Sequence, residues 1–158
     1  MLVFRIEREK YLSTVLSGIG ASMTKGFRWN SPNTRLVYTA ESRALATLEV
    51  SVHLDLSQDL PTDRQIVEIE IPDDLLILEV RPDDLPSGWD SKPPTILTQV
   101  IGDDFVRQGD AAVLKVPSSI VPQESNYLIN PNHVDAKRII IKHAFPMGFD
   151  PRLSSSIK

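Results

Sequence analysis

The sequence predicts a mixed α+β domain, with about seven short strands and two or three helices that do not alternate regularly, which argues against a doubly wound parallel sheet. The chain has 158 residues, the size of one domain. Twelve prolines stand against seven glycines, the mark of many short elements with stiff corners. Runs with a two-residue apolar period are interspersed with runs of helical period.

From the N-terminus, Leu2 to Ile6 reads as a strand and Lys10 to Leu16 as a short helix. Gly18 to Pro32 is a polar loop holding Gly18, Gly20, Gly26 and Pro32. Loops this long inside a compact domain are more often functional than filler. Arg35 to Tyr38 is a short strand. A helix follows over about Glu41 to Asp55, with Thr39 as N-cap and Glu41 in its first turn. Gln65 to Ile71 alternates, with Val67, Ile69 and Ile71 on one face and Glu68 and Glu70 on the other, a strand with one wet face. Leu75 to Val80 is a further strand. Pro94 to Arg107 reads as a helix with Leu97, Val100, Ile101 and Phe105 on one side and Pro94 near its start. Ala111 to Val116, Tyr127 to Ile129 and Arg138 to Lys142 complete the strands. The whole, residues 1–158, is expected to be a single domain with a core over about residues 3–153 and a tail, Leu153 to Lys158, free to fray.

Apolar residues make up 41% and charged residues 24%, the composition of neither a disordered chain nor a membrane protein. No stretch approaches the roughly 20 apolar residues of a membrane helix. The start, Met1 to Arg8, lacks the basic-then-apolar order of a signal peptide. Zero cysteines exclude disulfides, thiol catalysis and cysteine metal sites, and fit a cytosolic protein. With 17 basic against 21 acidic residues and no basic run, direct nucleic-acid binding is a poor fit. A basic protein, or a phosphate ligand held by a few arginines, remains open.

With about 100° per residue and Leu45 taken as zero, Leu48, Val52 and Leu56 fall within about 60° of one line, and Glu49 about 40° to its side. A carboxylate facing a core needs a partner or a task. At the edge it also has the plainer choice of reaching solvent or pairing with an arginine. Arg28 sits in the glycine- and proline-bounded run Gly26-Phe27-Arg28-Trp29-Asn30-Ser31-Pro32. It reads equally as a bidentate phosphate ligand beside a stacking aromatic and as an exposed arginine beside a tryptophan that plugs the core. Ser118 and Ser119 end a strand after Pro117, where serines commonly form turns. There is no Gly-x-Ser-x-Gly elbow and no His-Glu-x-x-His. His53, His133 and His143 form no metal pattern, so no metal site is expected. Gly18-Ile19-Gly20 begins like a dinucleotide fingerprint but lacks its third glycine.

The order of these pieces resembles the RES domain family, named for its Arg, Glu and Ser. The resemblance starts at Phe4-Arg5-Ile6 and runs through the Gly26 to Pro32 loop to Val37-Tyr38-Thr39-Ala40-Glu41-Ser42 and Ala44 to Glu49. It continues over Val116-Pro117-Ser118-Ser119-Ile120-Val121 and Asn126 to Pro131, and ends at Phe149-Asp150-Pro151-Arg152-Leu153. Phe27 stands where the family often has a second glycine, and Ala112 where it often has a tryptophan.

The resemblance implies a fold like that of ADP-ribosyltransferase toxins and an activity that consumes NAD, as the toxin half of a type II toxin–antitoxin pair. It makes Arg28, Glu49 and Ser118 the catalytic set. With Tyr38, the same residues become the NAD-binding set. Ser119 is the less apt choice, because the family serine directly follows the proline. Glu49 would stabilise the ribose cation, Arg28 would grip a phosphate, Tyr38 would pack on the nicotinamide or ribose, and Ser118 would position a polar group of the substrate. NAD would be substrate, with no resident cofactor. The partner implied is an antitoxin with an Xre-like helix-turn-helix domain, to which any DNA contact would belong. Water or phosphate is the expected acceptor for NAD cleavage. A protein ADP-ribosyltransferase and a non-catalytic binding module of the same fold are the alternatives.

Overall fold

The structure, a computed structural model, describes residues 1–23, 25–56 and 60–154. Seven strands form one sheet: β1 (Leu2–Arg8), β2 (Val37–Ala40), β3 (Arg64–Glu70), β4 (Ile77–Glu79), β5 (Val113–Pro117), β6 (Ser125–Ile129) and β7 (Ile140–Pro146). Their order across the sheet is β4-β5-β6-β2-β1-β3-β7. Every pairing is antiparallel except β4 with β5. The expected mixed, mostly antiparallel α+β architecture is therefore the observed one. The helices are α1 (Ile19–Ser22), α2 (Arg43–Ser51) and α3 (Ile96–Gln108). The expected helix after β1 is a 3-10 helix over Glu9–Thr14.

Strand alternation sorts the core into two faces. Val3, Val37, Val67, Ile69, Val113 and Ile129 point to one face and pack with Val15, Leu75 and Ile139. The other face carries two separate clusters. Phe4, Ile6 and Ala40 pack under Leu45 and Ala46 of α2. Leu114, Val116 and Leu128 pack with Trp29, Trp89 and Phe105. The boundary between these clusters falls at β2, the middle strand of the sheet.

Several local expectations are corrected. Thr39 does not cap α2: it is buried in β2, and its hydroxyl donates to the Tyr127 carbonyl at 2.7 Å. Ser42 is the N-cap, its hydroxyl accepting from Leu45 N at 3.0 Å. The helix is thus shorter, and Leu48 and Val52 are 39% and 55% exposed. The covered side of α2 runs through Leu45, Ala46, Glu49 and Val50 instead. Glu68 does not face water. The start of α2 covers it, and the Arg43 guanidinium bonds its carboxylate while lying 4.4 Å from the Phe4 ring centroid. In α3 the innermost residues are Thr98, Gly102 and Phe105, whereas Leu97 and Val100 are each 48% exposed. The helix is rolled because Gly102 meets backbone rather than side chains: a Cβ there would lie 1.7 Å from the Trp29 carbonyl oxygen. Of the tail expected to fray, Leu153 closes a 3-10 turn begun at Pro151, and residues 155–158 lie outside the described residues.

Candidate functional site

Glu49 lies one turn after Leu45 on the covered side of α2 and is partly buried. Ser118 follows β5 on the face of Leu114 and Val116 and is fully buried. Its hydroxyl donates to Glu49 Oε1 at 2.9 Å. The same oxygen accepts from the backbone N–H groups of Ile120 and Val121 at 3.1 and 3.2 Å. A hydroxyl offers one donor and two acceptor lone pairs, so these three bonds use its full capacity. Ser119 shows no such link to the carboxylate and is partly exposed.

Tyr38 projects from β2 onto the face shared by α2 and α3, and its hydroxyl is bonded both as donor and as acceptor. It donates to Asn30 Oδ1 at 2.7 Å and accepts from Trp29 N at 3.1 Å. Burial pushes its ionisation far above the ordinary tyrosine value, so the phenol stays neutral. Its ring meets Phe27 with centroids 5.5 Å apart. Asn30 is fully buried, and its amide nitrogen donates to the carbonyls of Ala21, Ser31 and Thr34.

Arg28 is half-buried, and its guanidinium donates to the carbonyls of Trp89 at 2.6 Å and Ser91 at 3.1 Å. Of five N–H donors these bonds engage two. Burial lowers its pKa, while Asp90, Glu49 and Tyr38 act in the opposite direction. Trp29 does plug the core, 3% exposed and against Trp89 with ring centroids 6.3 Å apart. The tryptophan of the plainer reading is therefore where that reading put it, while the arginine beside it is half-buried rather than exposed.

The fold bonds Ser118 to Glu49 and ties Tyr38 to the backbone of Trp29, next to Arg28 in sequence, on the sheet face that carries the two helix-side clusters. Arg28, Tyr38, Glu49 and Ser118 come from a loop, the middle strand, a helix and a strand end spread over 90 residues of chain, from Arg28 to Ser118. A cavity of about 510 Å³ bordered by Leu16, Ile129, His133 and Ile139 belongs to the opposite face and includes none of the four. Among the described residues no three His, Asp or Glu side chains are grouped to hold a metal ion. His133 Nδ1 accepts from Asp135 N in a turn, and His53 and His143 are exposed. No helix is long and apolar enough to cross a membrane among the described residues.

Sequence reasoning missed Asn30 and Asp103. Asp103 Oδ1 accepts from Ser31 N at 3.0 Å, and its Oδ2 accepts from Ser31 Oγ at 2.5 Å. The two residues stand 72 positions apart, and no local pattern signals such a pair.

A family model described as RES domain matches residues 2–150. The chain is 46% identical over 145 residues to the Prs ADP-ribosylating toxin of Sphingobium sp. (strain YBL2), covering 90% of this chain and 89% of that protein. It is 37% identical to a Toxin Res of Photorhabdus laumondii over all of both chains. A Toxin Res of Yersinia enterocolitica is 36% identical, covering 97% of this chain and 99% of that one. Among solved structures, the M. tuberculosis MbcT-MbcA toxin-antitoxin complex contains a chain similar in fold, with a TM-score of 0.72 at 16% identity, covering 96% of this chain and 85% of that one.

Proposed function

Because this chain belongs to the RES domain family, we propose that it is the toxin half of a type II toxin–antitoxin pair, acting in the cytoplasm by breaking the nicotinamide–ribose bond of NAD. The observation that carries the reading is the 2.9 Å bond from Ser118 to Glu49 beside the Arg28 loop. It holds one carboxylate oxygen and leaves Oε2 for the substrate.

Cleavage breaks the bond between ribose C1′ and the nicotinamide nitrogen. The ring is cationic before and neutral after, so its departure needs no proton donor. Positive charge grows on the ribose instead, as in glycoside cleavage. Glu49 meets that charge through Oε2, accepts from a ribose hydroxyl and orients the incoming nucleophile. With water as acceptor, the C1′–O bond forms, a proton is released, and the products are ADP-ribose and nicotinamide. Arg28 offers its remaining N–H groups to a phosphate, and the Tyr38 ring packs on the nicotinamide or ribose. Ser118, spent on Glu49 and two N–H groups, serves as a positioning residue and not as a group that touches the substrate.

A second reading keeps the bond cleavage and makes a protein side chain the acceptor. It is favoured by the Sphingobium relative, whose name is that of an ADP-ribosylating toxin. The partner that restrains either activity is an antitoxin, for which an Xre-like DNA-binding protein is our candidate.

The test is NAD turnover by purified protein, with product masses, and cellular NAD on tight expression. Glu49→Gln keeps the shape and removes the charge, and is expected to lose at least about 100-fold in kcat. Ser118→Ala is expected to lose about tenfold in kcat with KM little changed. Full turnover by Glu49→Gln would sink the mechanism. Modified protein in place of free ADP-ribose would select the second reading.

A further inference from the structure

The loop that carries Arg28 is closed by a Phe27 N to Asn30 O bond and by the Asn30 amide on the Ala21, Ser31 and Thr34 carbonyls, and Tyr38 accepts from Trp29 N. Three residues of α3 hold it as well. Gln99 Nε2 donates to the Phe27 carbonyl at 3.0 Å. Gly102 meets the Trp29 carbonyl so closely that no side chain fits between them. Asp103 takes both the N–H and the hydroxyl of Ser31. Residues 27, 29 and 31, which alternate with Arg28 and Asn30, are thus each held by one face of one helix. The segment leading into that helix supplies the Trp89 and Ser91 carbonyls that hold the guanidinium itself.

A carboxylate is a costly way to hold a loop unless its geometry matters. Asp103 is partly buried, and its charge is matched by two directed donors on one residue. We propose that α3 is the anchor that presents Arg28 to the substrate, with Asp103 as a positioning residue whose grip on Ser31 sets where the guanidinium stands. This inference rests on the reading of Arg28 as a phosphate ligand.

The contribution belongs to substrate binding and not to the chemistry at Glu49. Loosening the loop lets Arg28 sample positions away from the phosphate, which weakens ground-state and transition-state binding alike. That pattern raises KM and leaves kcat. A purely structural role would instead lower the fraction of active protein, reducing apparent kcat with KM unchanged.

The probe is ADP-ribose, bound to the purified full chain in a calorimeter, alongside steady-state turnover of NAD. Asp103→Ala is expected to weaken ADP-ribose binding about tenfold and to raise KM similarly, with kcat within about threefold of wild type. Asp103→Asn keeps an acceptor for Ser31 N and is expected to recover most of the loss. If Arg28→Ala weakens ADP-ribose binding and Asp103→Ala does not, the anchor role is overturned. If Arg28→Ala itself binds ADP-ribose like wild type, the phosphate reading beneath it fails. Should Asp103→Ala fail to fold, Ser31→Ala decides. It removes only the hydroxyl–carboxylate bond and is expected to weaken binding about threefold. Wild-type binding by Ser31→Ala in that case would overturn the proposal.

Discussion

At the scale of single residues, the hydroxyls of the candidate site already have protein partners. Ser118 bonds Glu49 and two backbone N–H groups, and Tyr38 bonds Asn30 and Trp29 N, so under the proposed function the charged groups Glu49 and Arg28 are the ones that meet the substrate. Tyr38 gives a direct test. Its folded-state pKa is raised by burial above the ordinary 10.0. The folded chain therefore holds a proton that the unfolded chain releases as pH passes about 10, and the stability that proton supports is lost as pH rises further. Tyr38→Phe leaves Asn30 Oδ1 without its donor and is expected to be about 1–3 kcal/mol less stable at neutral pH. Above pH 10 the difference between wild type and variant is expected to narrow in urea unfolding. A constant difference would show that the phenol is not held neutral. The four candidate residues were named through the resemblance that orders their motifs, and the fold bonds two of them, Ser118 and Glu49. A helical wheel by itself left Glu49 at the edge of a stripe. It erred because Leu48, Val52 and Leu56 were counted as the buried line, whereas the helix stops at Ser51 and its covered side runs through Leu45, Ala46, Glu49 and Val50.

At the scale of elements, all seven strands were legible, because alternation and turn residues mark them locally. The sides of the helices were not. Leu97 and Val100 look like core from their spacing, yet α3 turns Gly102 inward because a loop backbone from far away in sequence occupies that place. Glu68 was misread for the same reason: its cover, Arg43, comes from another element. Such pairings are set by tertiary contact, which periodicity does not encode. Gly102→Ala tests how tight that packing is. With a methyl carbon 1.7 Å from the Trp29 oxygen, helix and loop must separate. The expected cost is about 2–3 kcal/mol despite alanine's better helix propensity, measured by thermal unfolding. A stabilised Gly102→Ala would mean that α3 does not dock on the loop.

At the scale of the whole molecule, the sheet is strongest in its middle. β1 and β3 pair along their full lengths, from Leu2 with Glu70 to Arg8 with Arg64. β7 lies at one edge with every residue exposed, and the three-residue β4 lies at the other. Hydrogen exchange is expected to be slowest in β1, β3, β2 and β6 and at least about tenfold faster in β4 and β7. Equal protection across the sheet would contradict this order. The strand order also has a consequence for how the protein is made. β2 carries Tyr38 and is flanked by β1, from the first residues of the chain, and by β6, which ends at Ile129. The ribosome has therefore delivered most of the polypeptide before that middle strand gains its second neighbour and before Ser118 can seat Glu49. A ribosome that stalls or meets a stop codon ahead of that point releases a chain in which β2 lacks β6, so the surroundings of Tyr38 and Glu49 are completed only late in each round of translation.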